Sequence, residues 1–130
     1  MIEVLAVCSG ACLGALGRWG LGALLNALFP ALPPGTLAAN WLGSFLMGIF
    51  MGASLLAPRI PAQWRLFIVT GFLGSLTTFS AFAGEMTRLA AAGRFGLFSL
   101  GVVAHVAGSL LMVFLGMRLV AILAKSFVRL

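Results

Sequence analysis

Charge is what this sequence most lacks. Of its 130 residues, eight are Lys or Arg and two are Asp or Glu, whereas a soluble domain carries about a quarter charged residues. Mean hydropathy is +1.19, and 62% of the residues are hydrophobic. That balance excludes a soluble globular domain and points to an integral membrane protein. The two acids are Glu3, at the very start, and Glu85. A small drug-efflux antiporter of four spans needs a carboxylate in mid-membrane to exchange protons for a cationic drug. Neither acid is central in the first span, so that class is disfavoured. No nucleophile, base and acid are grouped anywhere, which argues against an enzyme. Cysteine is scarce too. Cys8 and Cys12 lie one helical turn apart, and two thiols alone make a poor metal site, so they read as small packing residues. The N-terminus, MIEVLAV, has no basic n-region, so no secretory signal is expected.

What is present is apolar sequence in long runs. A helix needs roughly 20 apolar residues to cross the hydrocarbon, and four segments fit: about Val4 to Leu28, Gly35 to Leu56, Trp64 to Ala92 and Gly96 to Ala124. Turn-forming residues separate them, in FPALPPG, APRIPAQ and AAGRFG. The prediction is one all-α, four-helix transmembrane domain over residues 1–130. The formal charge of +6 does not point to nucleic acid, because the basic residues stand singly at helix ends, as membrane anchors do. With four spans, Arg59, Arg65, Arg118, Lys125 and Arg129 share one side, against Arg18, Arg88 and Arg94 on the other. This is a weak Lys/Arg bias, and a chain with weak bias can insert either way up. It permits an antiparallel dimer of identical chains.

Polar groups at membrane depth are costly, and each is a candidate site. Thr36, Asn40 and Ser44 are spaced i, i+4, i+8 in the second span and form one stripe. Asn40 is either a pathway amide or glue between helices. His105 and Ser109 are again one turn apart, in the fourth span. Either can be a packing residue or a pathway residue. His105, with a reference pKa of about 6.5, is the side chain expected to titrate near neutrality. Small residues recur at four-residue spacing in Ser44/Gly48/Gly52, Ala104/Gly108 and Gly10/Gly14, which lets helix backbones approach.

The third span holds the least expected run, GFLGSLTTFSAF, from Gly71 to Phe82. Glycine and hydroxyl residues weaken a helix there, and a broken membrane helix frees backbone groups that can bind ions. Phe79 and Phe82 follow, three apart and so on one face. A phenylalanine edge is electropositive, so two edges could favour a small anion without offering a full charge. The alternative is a pair of core or lipid-facing rings.

This run closely resembles the signature of the Fluc/CrcB fluoride channel family. GTLAANWLGSFLMG from Gly35 resembles that family's second-helix motif, GALGRWGLG from Gly14 its first and AGSLLM from Ala107 its fourth. The resemblance implies passive, fluoride-selective export across a bacterial cytoplasmic (inner) membrane. It implies a dual-topology antiparallel homodimer with two pores, although some members work as unlike pairs. The pore would draw on Asn40, Phe79, Phe82 and Ser109, with Ser80, Thr36 and His105 beside them. Arg18 would stand at a vestibule, or else be a snorkelling anchor. A structural Na⁺ would sit at the dimer centre on the backbone carbonyls of Gly74 and Thr77. The sequence departs from the family pattern at Ala81, where Thr is usual, at Ser75, where Gly is usual, at His105, where a small hydroxyl is commoner, and in having no tyrosine. A structural subunit without transport is the remaining rival. Asn40 and the helix break would then serve packing alone.

Overall fold

The computed structural model of the chain describes residues 1–57 and 59–128; Arg129, counted above for orientation, lies outside them. The described residues are all-helical. Four helical stretches, Ile2–Leu28, Pro34–Leu56, Ala62–Ala91 and Phe95–Ser126, are each long and apolar enough to cross a membrane. Their ends lie within a few residues of those the apolar runs predict, because helical backbone runs on slightly past the apolar residues at some ends and stops short at others.

The first stretch is α1 (Ile2–Leu25), which tightens into a 3₁₀ turn at Asn26–Leu28. The chain then folds back through prolines into α2 (Pro34–Leu56). Proline at the first helical position lacks an N–H that would have no partner there. The next orphan donor, the Gly35 N–H, donates to Asn26 Oδ1 at 2.9 Å. The end of α1 thus caps the start of α2.

The third stretch is composite. It runs from α3 (Ala62–Arg65) through a π-helical segment, Leu66–Leu73, into one turn, α4 (Gly74–Leu76). Thr77 (φ −81°, ψ 155°) and Thr78 (φ −151°, ψ 113°) then take extended backbone before α5 (Phe79–Ala91). The Thr78 hydroxyl caps α5 by accepting from the Ala81 N–H at 3.1 Å. At its far end α5 closes on Gly93 (φ 69°), with the Arg94 N–H reaching the Leu89 carbonyl at 2.9 Å. That left-handed turn suits glycine. Last comes α6 (Phe95–Val128), a single helix of 34 residues. At 1.5 Å per residue it is about 50 Å long, more than the roughly 30 Å of hydrocarbon.

Two helix pairs set the frame. The α2–α6 pair meets where Gly48 faces the backbone of Val113, and Gly116 faces the Phe45 carbonyl. A Cβ at either glycine would strike backbone, so the approach needs glycine. Farther along, Gly108 lies under the Trp41 indole, whose Nε1–H donates to the Ala104 carbonyl at 2.9 Å. The second pair is α1 against the π-helical segment, where Gly10 and Gly14 admit the backbone of Phe67 and Phe72. Between the pairs lies a small core of Ala39, Leu73 and Leu76, and a second of Phe82, Met86 and Leu89. Large apolar side chains such as Trp19, Leu24, Leu110 and Ile122 cover the outer faces, as a lipid solvent requires.

Candidate functional site

Asn40 projects from α2 toward the two extended residues of the third stretch. Its Oδ1 accepts from the Thr78 N–H at 2.7 Å, and its Nδ2 donates to the Thr78 carbonyl at 3.2 Å. The side-chain amide therefore pairs with a single residue's backbone on both sides. Nδ2 also lies 3.1 Å from His105 Nδ1 on α6. An amide nitrogen only donates, so Nδ1 is the acceptor and the neutral ring carries its hydrogen on Nε2. Asn40 and His105 are both buried, at 9% and 4% exposure. His105 Nε2 has no partner among the described residues.

The same pairing changes the carbonyls around it. In an unbroken helix the Thr78 N–H would bond to the Gly74 carbonyl, and the Ala81 N–H to the Thr77 carbonyl. Here Asn40 Oδ1 takes the first donor and Thr78 Oγ1 takes the second. Gly74 and Thr77 thus present carbonyl oxygens without their helical donors. Gly74 is exposed. Hard oxygen donors of this kind suit a small alkali cation, so these two residues fit the Na⁺ that the family resemblance implies. The Leu73 carbonyl, by contrast, accepts from both the N–H and the hydroxyl of Thr77.

Three aromatic rings continue the site. Phe79 and Phe82 meet edge to face, with centroids 5.4 Å apart and planes at 63°. Phe82 in turn lies 4.7 Å from the His105 ring. Phe82 is buried, whereas Phe79 is 77% exposed. With Asn40, Ser44 and Ser109 these rings line an open cleft of about 460 Å³. No charged residue lines it.

Thr36, one turn before Asn40 on the same helix, opens into a different cavity. Its hydroxyl donates to Glu85 Oε1 at 2.6 Å. It lines a second cavity, of about 370 Å³, together with Arg18, Asn26 and Ala81. Thr78 lines both cavities, so the extended segment is the wall between them. Ser80 is exposed, and its hydroxyl lies 3.2 Å from Thr78 Oγ1. The structure thus gathers Asn40, Phe79, Phe82, His105 and Ser109 around one cleft and puts Thr36 with Arg18 in the other.

Two further residues join the site without a prediction from sequence. Thr78 supplies the backbone that Asn40 holds. Glu85, 7% exposed, holds Thr36 with one oxygen, and its Oε2 has no partner among the described residues. A lone acid within an apolar span was the available signal for Glu85. Nothing in the sequence distinguishes Thr78 from Thr77.

The chain is similar to known proteins of one family. The profile of the family described as "CrcB-like protein, Camphor Resistance (CrcB)" matches residues 5–117. A protein of Chromohalobacter salexigens named "Fluoride-specific ion channel FluC" is 56% identical over 115 residues, covering 88% of this chain and 87% of its own. One of Tolumonas auensis with the same name is 49% identical over 127 residues, covering 97% and 99%. A third, of Pseudomonas paraeruginosa, is 49% identical over 115 residues, covering 88% and 91%.

Proposed function

The chain belongs to the CrcB family, and on that premise we propose that it is a fluoride-selective channel, a passive exporter rather than an enzyme or a coupled pump. The observation that carries the reading is the open cleft lined by Asn40, Phe79, Phe82 and Ser109, in which no charged residue stands. A fluoride ion strips its water only where donors replace it, and a low-dielectric site strengthens each of them. The Ser109 hydroxyl and the electropositive ring edges are donors of that kind. None carries a formal charge, so an anion is held without being trapped. Arg18, in the adjoining cavity, would draw anions toward the entrance. Thr36 lines that cavity, and the Ser80 hydroxyl lies 3.2 Å from that of Thr78, which lines it too.

The two extended residues are read as a break in the third membrane helix. Asn40's part in this reading is structural as well as chemical, since its amide is occupied by Thr78 and His105. The cleft is open, and Phe79 at its rim is exposed. A second copy of the chain, inverted in the bilayer, would close it and give two pores per dimer. The weak Lys/Arg asymmetry supports that topology. The Gly74 and Thr77 carbonyls of the two copies would then hold one Na⁺ between them. A bound Na⁺ would neutralise carbonyl dipoles that otherwise repel across the interface.

The test is fluoride efflux from liposomes carrying the purified protein, read with a fluoride electrode, beside chloride efflux from the same vesicles. Fluoride passes and chloride is held back if the reading is right. Comparable chloride flux, or flux that stops unless protons move with it, would refute it.

A further inference from the structure

The hydrogen bonds around Asn40 permit only one protonation state of His105, and this has a functional consequence. Asn40 cannot rotate its amide by half a turn. That flip would set Nδ2 against the Thr78 N–H and Oδ1 against the Thr78 carbonyl, losing two bonds at 2.7 and 3.2 Å for one gained. With the amide fixed, Nδ2–H faces His105 Nδ1 at 3.1 Å. A protonated ring carries hydrogens on both nitrogens. Its Nδ1–H would then oppose the Nδ2–H of Asn40, two donors in contact at a buried site. Either the ring moves or Asn40 lets go of Thr78.

Among the described residues, the two elements packed against α6 bring no group that compensates a charged ring. From α2 the group facing it is Asn40, and from α5 it is Phe82, whose ring lies at 4.7 Å. Neither titrates. Glu85, the acid of α5, is engaged with Thr36. Arg88 and Arg18 line other cavities, and the cleft that His105 lines holds no charged residue.

We propose that His105 is a positioning residue whose neutral, Nε2-protonated ring locks Asn40 onto the Thr77–Thr78 segment, so that one proton taken up at Nδ1 releases the lock and shuts the pore. The inference rests on the fluoride-channel reading and adds to it a proton-sensitive element peculiar to a chain with histidine here. Above the midpoint of the His105 titration flux is full. Below it, flux falls about tenfold for each pH unit, the slope of a one-proton equilibrium.

His105 is the chain's only histidine, so an imidazole ¹⁵N spectrum of the labelled protein in liposomes has a single source. At pH 8 it should show a protonated Nε2 and an unprotonated Nδ1. The opposite tautomer overturns the proposal. Fluoride efflux is then measured from pH 8 to pH 5.5 for the parent, His105→Gln and His105→Leu, after subtracting hydrogen fluoride leak through protein-free liposomes. Glutamine can accept from Asn40 and does not titrate, so the His105→Gln flux, scaled to its own value at pH 8, should lose the pH dependence. His105→Leu, with no acceptor, should lose about tenfold at every pH, since it leaves a buried donor unpaired. A parent profile flat over this range, or a His105→Gln profile that still falls with acid, overturns the lock. Absence of fluoride flux in the parent at every pH would instead defeat the channel reading itself.

Discussion

Asn40→Ala removes one side chain and strands two buried groups. The Thr78 N–H loses its acceptor at 2.7 Å, and His105 Nδ1 loses its donor at 3.1 Å. Each unsatisfied buried group costs about 1–3 kcal/mol. The space left by the amide admits water, which favours the lower part of the range, so the interlocked conformation should weaken by about 2–4 kcal/mol. At 1.4 kcal/mol per factor of ten, that is a loss of roughly 30- to 1,000-fold in the interlocked population relative to the released one. If the interlocked form is the conducting one, fluoride efflux from liposomes should fall accordingly. Asn40→Ser, with one hydroxyl that can donate or accept, should fall less. Size-exclusion chromatography run on the same samples separates two causes. A variant that still runs with the parent's assembly state and has lost flux has lost the lock. A variant that has fallen apart has lost glue. Full fluoride flux in Asn40→Ala would refute the role assigned to this residue.

Other substitutions probe the rest of the site. Phe79→Ile and Phe82→Ile should each reduce flux, with methionine better tolerated at both; Phe82→Ile should also lower thermal stability by about 0.5–1.5 kcal/mol through loss of its ring contacts, while the exposed Phe79 should not. Equal flux for Phe, Met and Ile at both positions would reduce the rings to space-filling. Thr36→Val removes the donor from Glu85 Oε1 and leaves both carboxyl oxygens without a partner among the described residues, so it should destabilise the protein more than Glu85→Gln, which keeps an acceptor for Thr36; the reverse order in thermal melts of the two variants would contradict the bond. Exchanging Na⁺ for a bulky organic cation should weaken assembly and flux together, and indifference of both to Na⁺ would count against the Gly74 and Thr77 carbonyl site. Gly48→Val should prevent the α2–α6 approach and lower the melting temperature clearly below the parent's, and an unchanged melt would contradict the contact.

The four spans were legible because lipid allows one pattern, roughly 20 apolar residues bounded by turn formers. Close packing was legible for a related reason. Gly10, Gly14, Gly48 and Gly108 stand at small-residue spacings, and each faces backbone or an indole ring at a helix crossing. The π-helical segment was not legible. Leu66–Leu73 is apolar but for Thr70, and a widened turn depends on what packs against it rather than on its own residues. Helical spacing placed Thr36 on the same face as Asn40 but could not say that Glu85, 49 residues later, takes its hydroxyl. Nor could it reveal that Asn40 spends its amide on a backbone. Side-chain period identifies a face, whereas the partner on that face is a tertiary fact.

The bond between Asn40 and Thr78 joins residues 38 positions apart, and the earlier of them belongs to α2. During synthesis the second span therefore leaves the ribosome before the extended residues do. Their unpaired amide meets a partner already in place instead of waiting bare in lipid, where each open backbone group is expensive. Reversing that order should hurt biogenesis without altering the finished contacts. A circular permutant opened at Pro61, which makes the interrupted span first and α2 last, should insert with lower yield than the parent while its purified fraction conducts normally. Equal yields of the two would show that the order of arrival is immaterial.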